Sequence, residues 1–227
     1  GMESAAIQKP QPPRGVEWTK LEMLNKERDV IGIYLSSHPL DDYRLLIDNF
    51  CTHDLAQLEE LAKQGPKDYV VAGVVTQVQN LMTKKGKPFG RFTIEDYNGS
   101  HQFTLFGKEY EEFRKYMYQD YYLFIRGKIA PRFFDSKELE PKISSIMQLS
   151  EAQDTMIKEM TVKLPLREIT AEVVDELTAI VQESKGNIFF RVKVVDDESN
   201  VSVGLFSKTF RINLSSELID FCNEGKY

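Results

Sequence analysis

YVVAGVVTQVQNLMTKKGKPFGRFTIEDYNGSHQFTLFG, residues 69–107, reads as three consecutive strands. Tyr69–Leu81 is β-branched and alternating. Phe89–Asp96 sets Phe92 and Ile94 against Arg91, Thr93 and Glu95, and His101–Phe106 alternates again. Alternation with period two marks strands that bury one face. A basic turn, Thr83-Lys84-Lys85-Gly86-Lys87-Pro88, joins the first two strands. Asn98-Gly99 predicts a two-residue hairpin between the second and third, because both residues tolerate positive φ.

Working outward, KEYEEFRKYM (108–117) predicts a short amphipathic helix with Tyr110, Phe113 and Met117 on one face. Tyr121–Pro131 predicts a fourth strand and Glu140–Leu149 a fifth, separated by the loop Arg132-Phe133-Phe134-Asp135-Ser136-Lys137. Three strands, a plugging helix and two more strands is the order of a five-stranded Greek-key barrel of the OB type, over residues 67–150. That architecture commonly carries oligonucleotides on strands two and three and in the flanking loops. Single strands need cations for phosphate and flat faces for bases. The two loops and the adjoining strand supply both: Lys84, Lys85, Lys87, Arg91, Arg132 and Lys137 for phosphate, and Phe89, Phe133 and Phe134 for bases. Any one of these lysines is more simply a solvated hairpin residue, and the phenylalanines could cover the barrel end. Their joint placement where this fold binds favours nucleic acid.

Charge supports a localised site. The 227-residue chain has a formal net charge of −6, divided as −4 over residues 1–66, +3 over 67–150 and −5 over 151–227. Only the middle segment offers phosphate a net attractive surface. Two cysteines, Cys51 and Cys222, form no disulfide framework and suit a reducing, cytoplasmic setting. No membrane span, signal peptide, metal site or catalytic constellation is legible.

Residues 1–16 are polar and proline-rich, a linker or arm whose leading Gly looks like an expression scar. Residues 17–66 predict three short helices. The first starts at a Thr19–Glu22 capping box with Trp18 as a staple. The second starts near Pro39, lined by Leu40, Tyr43 and Ile47. The third carries Leu55, Leu58 and Leu61 on one side and ends at Gly65-Pro66. They are expected to pack on the barrel. His38 reads as a cap rather than a catalytic base, since no partner groups cluster near it in sequence. Residues 151–227 predict a small α/β module in the order β-α-β-β-β-α. Val162–Leu166 is an edge strand, Thr170 caps a helix that ends at Gly186-Asn187, and Ile188–Val195 turns Arg191 and Lys193 outward. Val201–Phe206 and Thr209–Leu214 are two further strands, before a helix capped at Ser215 or Ser216. The acidic turn 196–200 reads as a solvated hairpin.

The run Leu24–Leu40, LNKERDVIGIYLSSHPL, resembles the LxxExExLGxYLSGHPL signature of the bacterial replicative DNA polymerase III alpha subunit. It departs at Asp29, and at Ser37 where glycine is usual. TKKGKPFGRFTIEDYNGSHQFTLFGKEY (83–110) is similar to the same family's TKKGKxMAFxTLEDxTGxxExxxFxxxY, in the expected order and spacing. The resemblance is good over residues 17–150 and looser beyond. It implies a C-terminal fragment, with the catalytic domains, their magnesium-binding aspartates and the sliding-clamp peptide upstream, so that this chain itself is not expected to be an enzyme. It implies that the barrel holds single-stranded template and that 151–227 docks the clamp loader's tau subunit. Two rivals stay open: a protein-interaction platform with little DNA binding, and an OB-type tRNA or RNA-binding module, against which the YLSSHPL run argues.

Overall fold

The computed structural model describes residues 20–31, 37–132 and 136–225. The proposed cap Thr19 and staple Trp18 lie outside the described residues, as do Phe133 and Phe134.

Residues up to Asp41 form a unit of their own. It holds helix α1 (Lys20–Ile31) and the start of a turn at Pro39. His38 is used by that turn: its backbone N–H donates to Asp41 Oδ2 at 2.7 Å, and its Nδ1 accepts from the Leu40 N–H at 3.2 Å. The ring therefore serves as a cap.

In the second unit, α2 (Arg44–Phe50) buries Leu46, where the pattern had pointed to Tyr43 and Ile47. Asp54 and Gln57 form a reciprocal capping box at the 3-10 turn Leu55–Gln57, which leads into α3 (Leu58–Gln64). Leu55, Leu58 and Leu61 are all buried, and Gly65 ends the helix with φ +117°.

Five strands follow: β1 (Asp68–Met82), β2 (Pro88–Glu95), β3 (Ser100–Phe106), β4 (Tyr122–Pro131) and β5 (Leu139–Gln148). They form one antiparallel sheet in the order β3-β2-β1-β4-β5. β1 serves both halves: Asp68–Val74 pairs with β4, and Val74–Met82 pairs with β2. A bulge between Val75 and Gln77 lies on the β2 side, and a bulge of this kind increases local bend and twist. The sheet coils around one core to which every strand contributes, among them Tyr69, Phe92, Phe103, Ile125 and Ile146. Two helices enter that core. The α3 side supplies Leu55, Leu58 and Leu61; α4 (Gly107–Phe113) and the 3-10 turn after it supply Phe113 and Met117. The architecture is thus the expected OB-type barrel, with one qualification. The end strands β3 and β5 make no ladder with each other among the described residues, so the barrel has an open seam.

The β2–β3 connection departs from the expected two-residue hairpin. Glu95 pairs with Ser100, leaving Asp96–Gly99 as a four-residue loop, and neither Asn98 nor Gly99 takes positive φ. Asp96 organises the loop instead. Its Oδ1 accepts from the Asn98 and Gly99 N–H groups at 2.8 and 2.9 Å, and its Oδ2 accepts from the Leu55 N–H at 2.6 Å. A carboxylate can accept all three donors at once, so positive φ is not needed to turn the chain.

A helix that the sequence pattern had not indicated, α5 (Leu149–Met156), follows β5 and buries Leu149 and Ala152. The C-terminal module has its own core, built from β6 (Glu159–Pro165), α6 (Ala171–Glu183), β7 (Lys185–Asp196), β8 (Val201–Ile212) and α7 (Ser216–Gly225). β6 is an edge strand parallel to β7, and β8 pairs antiparallel on the other side of β7. Thr170 caps α6 through the Val173 N–H, and Ser215 Oγ accepts from the Leu218 N–H at the start of α7. Two expectations are corrected. Gly186 and Asn187 lie inside β7 rather than ending α6, and the two predicted strands after residue 200 are one strand, β8, bulged between its two halves. Among the described residues no helix is long and apolar enough to cross a membrane.

Candidate nucleic-acid interface

The β1–β2 turn is closed by its own polar groups. Thr83 N–H donates to Lys87 O at 2.8 Å, Gly86 N–H to Thr83 O at 2.9 Å, and Lys87 N–H to Thr83 Oγ1 at 3.0 Å. Gly86 takes φ +72° with nothing near its missing Cβ, so backbone conformation rather than space selects glycine there. The turn leaves Lys84, Lys85 and Lys87 exposed on a fixed scaffold.

The strand register then builds a face. Opposite residues share a side of the sheet. On the inner side Phe92 meets Phe103 and Gly90 meets Leu105; on the outer side Phe89 meets Phe106, Arg91 meets Thr104 and Thr93 meets Gln102. Phe89 and Phe106 stack with centroids 5.0 Å apart and planes 17° apart, and the Arg91 guanidinium lies 5.8 Å from the Phe89 centroid. Gln79 and Leu81 of β1 extend the same face. An aromatic pair thus sits directly beside the lysine turn, followed by a cation and a row of amides and hydroxyls.

This face runs into the open seam. A groove of about 830 Å³ lies there, lined from β2 and β3 by Arg91, Gln102, Thr104 and Phe106, and from the β5 side by Arg132 and Lys142. Lys63, His101, Glu59, Glu109, Glu138 and Glu140 complete its charged and titratable lining. Arg132 is less available than its loop position suggested: it faces Glu138 and Glu140, each at 3.5 Å, while Lys142 pairs with Glu140 at 2.5 Å. Burial lowers the His101 imidazole from its ordinary value, with the Glu59 carboxylate opposing. Its ring meets Phe103 edge-on at 4.7 Å.

Of the sequence-predicted residues, Phe89, Arg91, Lys84, Lys85 and Lys87 come together at one end of the face. Arg132 lines the groove in ion pairs, and Lys137 is exposed on the β4–β5 loop outside the groove lining. Phe106, Thr104 and Gln102 were missed. Their signal was the outward parity of the third strand, which places Phe106 opposite Phe89 once the register is known. Among the described residues no three His, Cys, Asp or Glu side chains gather to hold a metal, and Asp96 is committed to backbone N–H groups. The magnesium implied by the resemblance has no fitting ligand set here.

Comparison with known proteins agrees with this geometry. Residues 69–149 match the family described as OB-fold nucleic acid binding domain, and residues 160–226 match DNA polymerase III alpha subunit, C-terminal domain. The DNA polymerase III subunit alpha of Saccharopolyspora erythraea is 28% identical over 86% of this chain and 16% of its own length. That of Haemophilus influenzae is 29% identical over 74% of this chain and 14% of its own. The chain therefore spans about a sixth of these relatives. A mitochondrial single-stranded DNA binding protein of S. cerevisiae aligns over 37% of this chain and 97% of its own, at 11% identity and a TM-score of 0.28.

Proposed function

The chain carries the C-terminal domain of the DNA polymerase III alpha family behind an OB-fold domain, and on that premise we propose that it serves a replicative DNA polymerase by holding single-stranded template on the outer face of β1–β3. The observation that carries this reading is the stacked Phe89–Phe106 pair, flanked by Arg91 and by three exposed lysines on a rigid turn. Bases stack on the aromatic pair, at about 1–3 kcal/mol per base. The lysines and Arg91 meet phosphate, and the amides and hydroxyls of Gln79, Gln102 and Thr104 meet whatever base edges face them. The groove itself balances cations against carboxylates, so the phosphate contribution comes mainly from the turn. Template polarity is left free by this arrangement, and the role is positioning rather than chemistry.

The test is fluorescence anisotropy of a labelled single-stranded oligonucleotide against the whole chain. Phe89→Ala/Phe106→Ala is expected to weaken binding about tenfold or more, the loss of one stacked base. Lys84→Ala/Lys85→Ala/Lys87→Ala is expected to flatten the dependence of log K on log salt by about 2. Binding unchanged in both variants sinks the template reading, and preference for a tRNA anticodon stem over DNA replaces it with the RNA reading.

A second role is supported by the C-terminal module. A 400 Å³ groove between α6 and the sheet is lined by apolar side chains, with Val174, Leu205, Phe206 and Phe210 exposed along it. Exposed apolar surface of this kind favours docking, and the resemblance names the clamp loader's tau subunit as the partner. Retention of tau by the chain, lost on Leu205→Asp/Phe206→Asp, supports that docking; no retention by the unmodified chain removes it.

A further inference from the structure

The three-stranded sheet of the C-terminal module has two unlike faces. Val162, Leu164, Ile188, Phe190 and Ile212 pack into the core with α6 and α7. The opposite face is fixed by the register. Thr161 lies beside Arg191 and Lys163 beside Lys193 across the parallel β6–β7 pair, and Phe189 lies beside Arg211 across β7–β8. Lys163, Phe189, Arg191 and Arg211 are exposed there, Phe189 at 48%, and Lys193 is partly so. The Arg211 guanidinium lies 4.0 Å from the Phe189 centroid.

The charge of this face is opposite to that of its module. Residues 151–227 carry a formal −5. The face nevertheless gathers Lys163, Arg191, Lys193 and Arg211 against one carboxylate, Glu159, which pairs with Arg191 at 2.9 Å. The carboxylates of α6 (Glu172, Asp175, Glu176) belong to the helix on the other side of the sheet. At one end the turn Asp196–Asn200 places three more carboxylates, so a polyanion crossing the face runs across the strands rather than off that end. Cations spread over a strand surface with an exposed ring among them match phosphates and a base, whereas an acidic protein would leave the ring without a stacking partner.

We propose that this open face is a second binding site for single-stranded nucleic acid, distinct from the barrel face. Phosphates meet Lys163, Lys193 and Arg211, a base stacks on Phe189, and Glu159 weakens the site by holding Arg191. Two modest sites on one chain then act on one strand with an affinity that neither has alone.

The experiment uses the whole chain and a labelled single-stranded oligonucleotide, measured by anisotropy across salt and by ultraviolet cross-linking with peptide mapping. Lys163→Gln/Lys193→Gln/Arg211→Gln is expected to flatten the slope of log K against log salt by about 2, since each phosphate contact on a single strand contributes about 0.7. It also removes the cross-link to the Phe189 peptide. Glu159→Gln frees Arg191 and is expected to tighten binding and steepen the slope by about 0.7, a gain that misfolding cannot produce. An unchanged slope in the triple variant, or no gain in Glu159→Gln, overturns the proposal. The same triple substitution is made in a Lys84→Ala/Lys85→Ala/Lys87→Ala/Arg91→Ala background. Residual binding there that the triple substitution removes supports the second site by itself; no residual binding there overturns it as an independent site. Full binding in that background sinks the barrel reading alone.

Discussion

Asp96 and His101 sit five residues apart and show how much a single side chain can carry beyond its sequence context. Asn98-Gly99 pointed to a hairpin turn in the right place, but the turn's chemistry belongs to Asp96, which accepts three backbone N–H groups, one of them 41 positions away at Leu55. That long-range acceptor could not be read from local propensity, because the donor is brought there by the folding of another element. His101 was legible only as an alternating strand residue. In the fold its ring stands on the inner side of β3 beside Phe103, faced by Glu59 from α3 across the groove, where Glu109, Lys63, Arg132, Lys142, Glu138 and Glu140 also line the walls. Burial lowers its pKa first, and Glu59 opposes. A base whose folded pKa is depressed resists a proton that the unfolded chain accepts. Stability is therefore full above the ordinary value of 6.5 and falls as pH drops below it. Urea denaturation between pH 7.5 and 5.5 is expected to show this decline, and His101→Gln to reduce it; His53, also lowered by burial and by Lys67, accounts for part of what remains. An equal decline in the variant would refute the assignment.

At the scale of elements, the barrel strands were legible because each alternates cleanly and is bounded by turn chemistry. The limits of pattern appear where an element is shared or interrupted. β1 was legible as a strand, but its service to both β4 and β2 depends on a bulge that no alternation marks. β8 reads as two strands because its own irregularity breaks the period, yet the ladder to β7 resumes on both sides. Gly186 resembles a helix stop; in the fold it is a strand residue whose missing Cβ makes room for Asn213. Two other glycines give a graded prediction. At Gly127 in β4 a Cβ would collide with the Tyr69 ring and with the backbone carbonyl of Lys142, to which the Tyr69 hydroxyl donates at 3.1 Å. At Gly90 in β2 it would meet the flexible end of Met117 and the edge of Tyr110. Gly127→Ala is expected to cost about 3 kcal/mol and Gly90→Ala about 1 kcal/mol, within the usual range for overpacking. Chemical denaturation decides it: equal losses would mean that the Tyr69 clamp yields as easily as a methionine.

The second unit carries two separate apolar cores, one inside the barrel and one between α6, α7 and the three-stranded sheet. Separate cores predict separate cooperativity. Ile125→Ala removes a fully buried side chain from the first core and Ile212→Ala one from the second, each at about 2–5 kcal/mol. Calorimetry is expected to show two transitions, each variant lowering only its own; a single transition moved by both would join the modules into one folding unit. Charge divides along the same lines. The acidic average of the chain was legible in composition, while the basic open face was not, since its cations are spread over three strands and meet only through register. The seam between β3 and β5 has a mechanical meaning. A ring of strands closed all the way round has its girth set by the number of strands and their stagger, and nothing it carries can alter that. A ring left unlatched along one line can widen by swinging its two lips apart about β1, at the cost of bending a sheet rather than breaking a ladder. The bore of this barrel is therefore adjustable, and strands of different thickness, stacked or splayed, single or transiently paired, can pass the same doorway without any residue in its wall being replaced.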